Sequence, residues 1–89
     1  MALQIINAGP APEEVAGQIR AAIAEALPDA VIDVRPQGPG HFEITVTDAA
    51  FDGLNRVKQQ QLVYGAITEL MAGASPPVHA IDRLECLVP

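Results

Sequence analysis

Apolar residues recur along this chain at two different periods, and the change of period marks out its elements. Val15, Ile19, Ala22, Ile23, Ala26 and Leu27 fall on one face at helical spacing. Pro10-Ala11-Pro12-Glu13-Glu14 leads into them. Proline suits a first helical turn, and acids there favour the helix dipole. Pro28-Asp29 stops the helix. The period then becomes two. Phe42, Ile44 and Val46 alternate with Glu43, Thr45 and Thr47, as in a strand with one buried face. Val31–Val34 is a shorter strand candidate. Between the two, Pro36-Gln37-Gly38-Pro39-Gly40 cannot continue a ladder, so the strands should form an antiparallel hairpin across that loop.

A turn over Asp48–Gly53 follows, and Asn55 is placed to cap a second helix running to about Ala72. Its apolar stripe is Val63, Ala66, Ile67, Leu70 and Met71, and Gly73 suits its end. Ser75-Pro76-Pro77 imposes an extended entry into a last strand over Val78–Val88. Its alternation is imperfect: Leu84, Cys86 and Val88 share a face that would also take Asp82. The order helix, strand, strand, helix, strand predicts a two-layer α+β fold, with helices covering one face of a three-stranded mixed sheet. Met1–Gly9 carries Leu3-Gln4-Ile5-Ile6, which reads equally as an edge strand or a loosely ordered tail. Length allows a single domain over residues 1–89, with 1–11 as that N-terminal segment.

Composition narrows the chemistry. Aromatic residues make up 3% of the chain, so the core must be built from Ala, Val, Ile and Leu. The net charge is −6, and the basic residues Arg20, Arg35, Arg56, Lys58 and Arg83 are scattered among eleven acids. Phosphate-backbone binding needs clustered Lys and Arg, so nucleic acid is disfavoured as a general partner, as are anionic membranes. The lone thiol, Cys86, excludes an internal disulfide and fits a reducing compartment. The N-terminus has no basic region followed by a long apolar run, so a cytoplasmic location is expected. No Walker loop, no Gly-x-Gly-x-x-Gly and no nucleophile–base arrangement occurs, so a non-enzymatic role is expected.

The segment from Phe51 to Ile81 carries a more specific signal. It reads Phe51-Asp52-Gly53, then Arg56-Val57-Lys58, three glutamines, Val63-Tyr64-Gly65, and finally Val78-His79-Ala80-Ile81. In this order the chain resembles the BolA family over roughly Val15 to Leu84, closest to the branch with Arg-Val-Lys and Gln-Gln before Val-Tyr-Gly. Other members carry Arg-His-Arg near Gln59–Gln61. The resemblance implies a type II KH-like domain. It also implies a partnership with a monothiol glutaredoxin, in which the two proteins share a [2Fe-2S] cluster with glutathione, in iron–sulfur trafficking or iron homeostasis. The family often continues with a Thr-Pro-x-x-Trp segment and a further helix; this sequence stops at Pro89 without Trp. A nucleic-acid-binding transcriptional role is also attributed to the family, but there is no Gly-x-x-Gly loop here to grip nucleic acid. The free chain is expected to be a monomer or a weak homodimer.

The resemblance makes His79 the expected cluster ligand; without it, His79 is a polar residue at a strand start. His41, at the edge of the Gly/Pro loop, is the candidate for a second ligand, or else a surface histidine at a strand end. The loop could carry it towards His79. Cys86 reads as a small buried hydrophobe. It lies seven residues beyond His79, which on an extended strand is about 20 Å, and the odd offset would turn it to the opposite face. Arg56 and Lys58, with Gln59, Gln60 and Gln61, form either a solvated helix opening or, functionally, a docking face for an acidic partner or a weak nucleic-acid contact. Tyr64 is expected at the core boundary. Gly53 is expected to supply a turn conformation, and Gly65 a close approach between elements.

Overall fold

In the computed structural model, which describes residues 11–89, helix α1 runs over Pro12–Ala26. The alternative of strand or tail for Met1–Gly9 lies outside the described residues. Pro12 opens α1, and Glu13 and Glu14 occupy its first turn. Val15, Ala16, Ile19 and Ile23 are buried. Ala16 joins the buried stripe while Ala26, at the last turn, is exposed. Strands β1 (Val31–Pro36) and β2 (His41–Thr47) form the expected antiparallel hairpin, with Val34 opposite Ile44. A single 3-10 turn over Ala49–Phe51 drops Phe51 into the core, and Asp48 accepts from the Ala50 amide at 2.8 Å to start it.

Helix α2 spans Arg56–Ala66. Asn55 caps it, its Oδ1 accepting from the Lys58 amide at 2.9 Å. The helix ends before Ala72. Ile67 leaves helical geometry, and the chain tightens into a 3-10 turn over Thr68–Met71. The apolar stripe continues through that turn, with Ile67 buried and Leu70 and Met71 packed against the core.

Strand β3 (Ala80–Leu87) pairs in parallel with β2, giving a mixed sheet of order β1-β2-β3. The register shifts along this pair. Phe42 faces Ile81 but Glu43 faces Arg83, which leaves Asp82 as the extra residue of a bulge. The bulge resolves the imperfect alternation. Ile81, Leu84 and Cys86 now turn to the helices, while Asp82 is exposed. Val88 lies beyond the strand and is exposed. The core is Val15, Ala16, Ile19 and Ile23 of α1, Val34, Phe42, Ile44 and Val46 of the sheet, and Phe51, Val63, Ile67 and Val78. Burial of each Val, Ile or Phe among them contributes about 1.5–3 kcal/mol. Among the described residues, the other sheet face carries Asp33, Arg35, Glu43, Thr45 and Glu85, with the exposed Val31 and Leu87 at one end beside Thr47.

Two glycine expectations separate here. Gly53 has φ +80°, as its turn role requires. Gly65 is not a close-approach position: a Cβ placed there would meet nothing within 4 Å.

Candidate functional site

The loop between β1 and β2 folds back on itself before meeting β3. The Gln37 amide donates to the His41 carbonyl at 2.8 Å, and Gly38 and Gly40 both take positive φ (+123° and +76°). L-residues with side chains rarely adopt that region. The Gly40 carbonyl then accepts from two amides of the opposing strand entry, His79 at 2.8 Å and Ala80 at 3.0 Å. The His79 ring lies directly on Gly40. A Cβ at position 40 would stand 2.7 Å from its Cγ and 2.8 Å from its Nδ1. Gly40 is therefore required twice, by its own backbone and by the ring above it. The Gly-Pro-Gly run shows in the sequence that the chain turns, but not which side chain it must clear.

His79 is exposed but firmly based. Val78 before it is fully buried, and the Val78 amide donates to the Leu70 carbonyl at 3.1 Å. The ring lines an open cleft of about 550 Å³ walled by Pro12, Val15, Pro39, Phe42, Pro76 and Pro77. One imidazole thus sits at the edge of a mainly apolar recess.

His41 stands next to that ring in the chain trace but faces away from it. The next residue, Phe42, is buried among the helices, so His41 points to the open face of the sheet. There its Nδ1 lies 2.9 Å from Asp82 Oδ1, with the two side chains 47% and 41% exposed. The loop brings the backbones of residues 40 and 79 together without bringing the two imidazoles to one face. Among the described residues, no three His, Cys, Asp or Glu side chains gather closely enough to hold a metal.

Cys86 lies opposite Val46, half-buried against the core, and desolvation raises its thiol pKa. Six strand positions separate Val46 from Gly40, or about 20 Å, so the thiol is remote from His79. The parity argument for its facing does not survive, because the Asp82 bulge inserts a residue between the two positions.

Arg56 and Lys58 are exposed on the first turn of α2, and neither forms an ion pair among the described residues. Gln59 beside them is structural. Its Nε2 donates to the carbonyls of Phe51 at 3.0 Å and Leu54 at 3.1 Å. Of the other basic groups, Arg35 pairs with Asp33 at 2.8 Å and Arg83 lies 3.9 Å from Glu85. Tyr64 is 37% exposed, a surface residue rather than the core-boundary position the sequence suggests.

The family model described as BolA-like protein matches residues 19–87. The chain is similar to BolA-like protein 1 of Mus musculus, 32% identical over 84 residues, covering 84% of this chain and 58% of that protein. It therefore spans less than two thirds of that relative's length. It is also similar to the acid stress protein IbaG of Escherichia coli strain K12, 35% identical over 66 residues, covering 73% of this chain and 74% of that protein. The solution structure of mouse BolA1 superposes with a TM-score of 0.75 at 30% identity, covering 98% of this chain and 76% of that one. No helix among the described residues is long and apolar enough to cross a membrane.

Proposed function

The chain belongs to the BolA-like protein family, and on that premise we propose that it is a non-enzymatic partner of a monothiol glutaredoxin. The pair holds a [2Fe-2S] cluster between them as cargo, for cluster trafficking or control of iron homeostasis. The observation that carries this reading is the His79 imidazole, exposed at the rim of an open cleft and held by backbone bonds to Gly40.

The donor set fits a shared cluster better than a resident one. A two-iron cluster needs four protein or thiol ligands. This chain offers single imidazoles on separate faces, so the remaining ligands must come from the glutaredoxin and its glutathione. Imidazole in place of thiolate raises the reduction potential of such a cluster. The cleft beside His79 leaves room for a partner to approach the ring. Of the two histidines, His79 has the geometry for the primary ligand. His41 faces the other side of the sheet, where it is engaged by Asp82. Arg56 and Lys58 supply free positive charge for an acidic partner surface.

The test is to titrate the protein into cluster-loaded, glutathione-bound monothiol glutaredoxin and follow visible circular dichroism. A new spectrum that saturates at one-to-one, is lost in His79→Ala and persists in His41→Ala is the expected result. Loss in both variants would make His41 a second ligand. No spectral change with the wild type would overturn the cluster-sharing function.

A further inference from the structure

We propose that two copies of this chain pair through the free edges of their β3 strands, antiparallel about a twofold axis at Leu84, so that Arg83 of each copy meets Glu85 of the other. This surface is separate from His79 and its cleft, and the pairing does not depend on a cluster.

The edge is accessible. β3 ends the strand order β1-β2-β3, and among the described residues no strand pairs with its far side. A cleft of about 340 Å³ runs between that side and the first turns of α2, lined by Arg56, Gln59, Gln60 and every residue from Arg83 to Leu87. Successive strand side chains point to opposite faces, so a consecutive run shares one cleft through its common edge. The peptide groups agree. The Asp48 amide donates to the Leu87 carbonyl at 3.0 Å, which turns the peptide groups of Leu87 towards β2. From Arg83 to Leu87 the register with β2 is regular. By alternation Arg83 and Glu85 also bond towards β2, while Leu84 and Cys86 present N–H and C=O outward.

An unpaired strand edge is a template for another strand, and the residues around Leu84 suit a copy of themselves. With Leu84 opposite Leu84 as a hydrogen-bonded pair, Arg83 and Glu85 form the flanking non-hydrogen-bonded pairs, where opposed side chains come closest. Both point to the open sheet face. Within one chain they make only a loose contact at 3.9 Å. The twofold adds two cross-strand pairs of opposite charge. Such an isologous contact closes at two copies. Strand β1 has the mirrored order Asp33-Val34-Arg35 but is a poorer edge. Its ion pair is already made at 2.8 Å, and Pro36 has no amide to donate. The net charge of −6 opposes association, so the dimer is weak. The two His79 rings lie at opposite ends of the paired strands, roughly 30 Å apart, and neither is covered by the pairing.

Sedimentation equilibrium of the free chain over about 10 μM to 1 mM, in about 0.15 M salt, reads this association. A monomer–dimer equilibrium is expected. Arg83→Glu alone and Glu85→Arg alone each set like charges opposite one another and should raise the dissociation constant about 10-fold. An equimolar mixture of the two variants restores opposite charges only between different chains, and its constant should return to within about 3-fold of the wild type. Arg35→Glu, on the other edge, should leave the constant unchanged. Isotope-filtered NMR should show contacts between the α-protons of Arg83 and Glu85 in different copies. A wild type that is monomeric throughout, or a mixture no tighter than its components, would overturn the proposal. A dimer broken by Arg35→Glu would overturn it too, by placing the interface on β1. No glutaredoxin is used, so failure of the shared cluster and failure of this surface are separable.

Discussion

The imidazole of His79 rests on Gly40 so closely that a methyl group at position 40 would come within 2.7 Å of its Cγ. Gly40 also has φ +76°, so Gly40→Ala meets two penalties, one in the backbone and one in the ring. A stability loss of about 1–3 kcal/mol is expected in urea unfolding. The ring must also move, so the circular dichroism signal with cluster-loaded glutaredoxin should weaken. Gly38→Ala is the control. It carries φ +123° with nothing within 4 Å of the added carbon, so it should lose stability and keep the signal. Equal losses of signal in the two variants would show that strain, rather than ring placement, is responsible.

The start of α2 is fixed by two polar side chains that do different jobs. Asn55 caps the helix through the Lys58 amide, and Gln59 ties the preceding turn to it through Phe51 and Leu54. Asn55→Ala should cost about 1 kcal/mol. Gln59→Ala removes both bonds, although the Phe51 carbonyl keeps the Leu54 amide at 3.2 Å, and should cost about 1 kcal/mol. Because both act on one helical turn, the double variant should be less destabilised than the sum of the two. Chemical denaturation of the four proteins measures this. Strict additivity would mean that cap and turn form independently.

Much of this fold can be read along the chain, because the hairpin, both helix starts and the apolar stripes follow from local periodicity. What escapes is set by distant partners. The second helix was expected to reach Ala72 because Ile67, Leu70 and Met71 stay on the apolar stripe; they do, but through a tighter 3-10 turn. The bulge in β3 depends on its pairing with β2. Asp82 falling on the apolar face was its trace in the sequence. The candidate site divides in the same way. His79 and His41 stand out by residue type and family pattern, whereas Gly40 beneath the one and Asp82 beside the other are long-range contacts.

Cys86 offers a pH test of the sheet's packing. Desolvation raises its thiol pKa, so the folded chain favours the neutral thiol. A raised value in the folded state means that this contribution is fully present below the unfolded thiol's pKa. It is lost as pH rises through the folded one. Unfolding free energy should therefore decline in alkaline solution above the ordinary thiol range, and less so in Cys86→Ala. Alkylation by iodoacetamide at neutral pH should be slower than for an unfolded control, since the thiolate is the reacting form. Reaction at the control rate would place Cys86 in a more open setting than its packing against the core implies.

The last prediction concerns how a partner is met. Arg56 and Lys58 lie on the same exposed turn and have no acidic partner among the described residues. They stand out in a chain of net charge −6. Exposed charges of this kind act mainly on encounter rate, and salt screens them over about 8–10 Å. Charge reversal by Arg56→Glu with Lys58→Glu should slow association with a monothiol glutaredoxin at low ionic strength by roughly 10-fold. The effect should shrink as salt is added. The dissociation rate should change little, because neither side chain packs against His79 or its cleft. Stopped-flow or biosensor kinetics at two salt concentrations separates these terms. A loss confined to the dissociation rate would mean that this turn is a packed part of the interface. An unchanged association rate would return Arg56 and Lys58 to the status of a solvated helix opening.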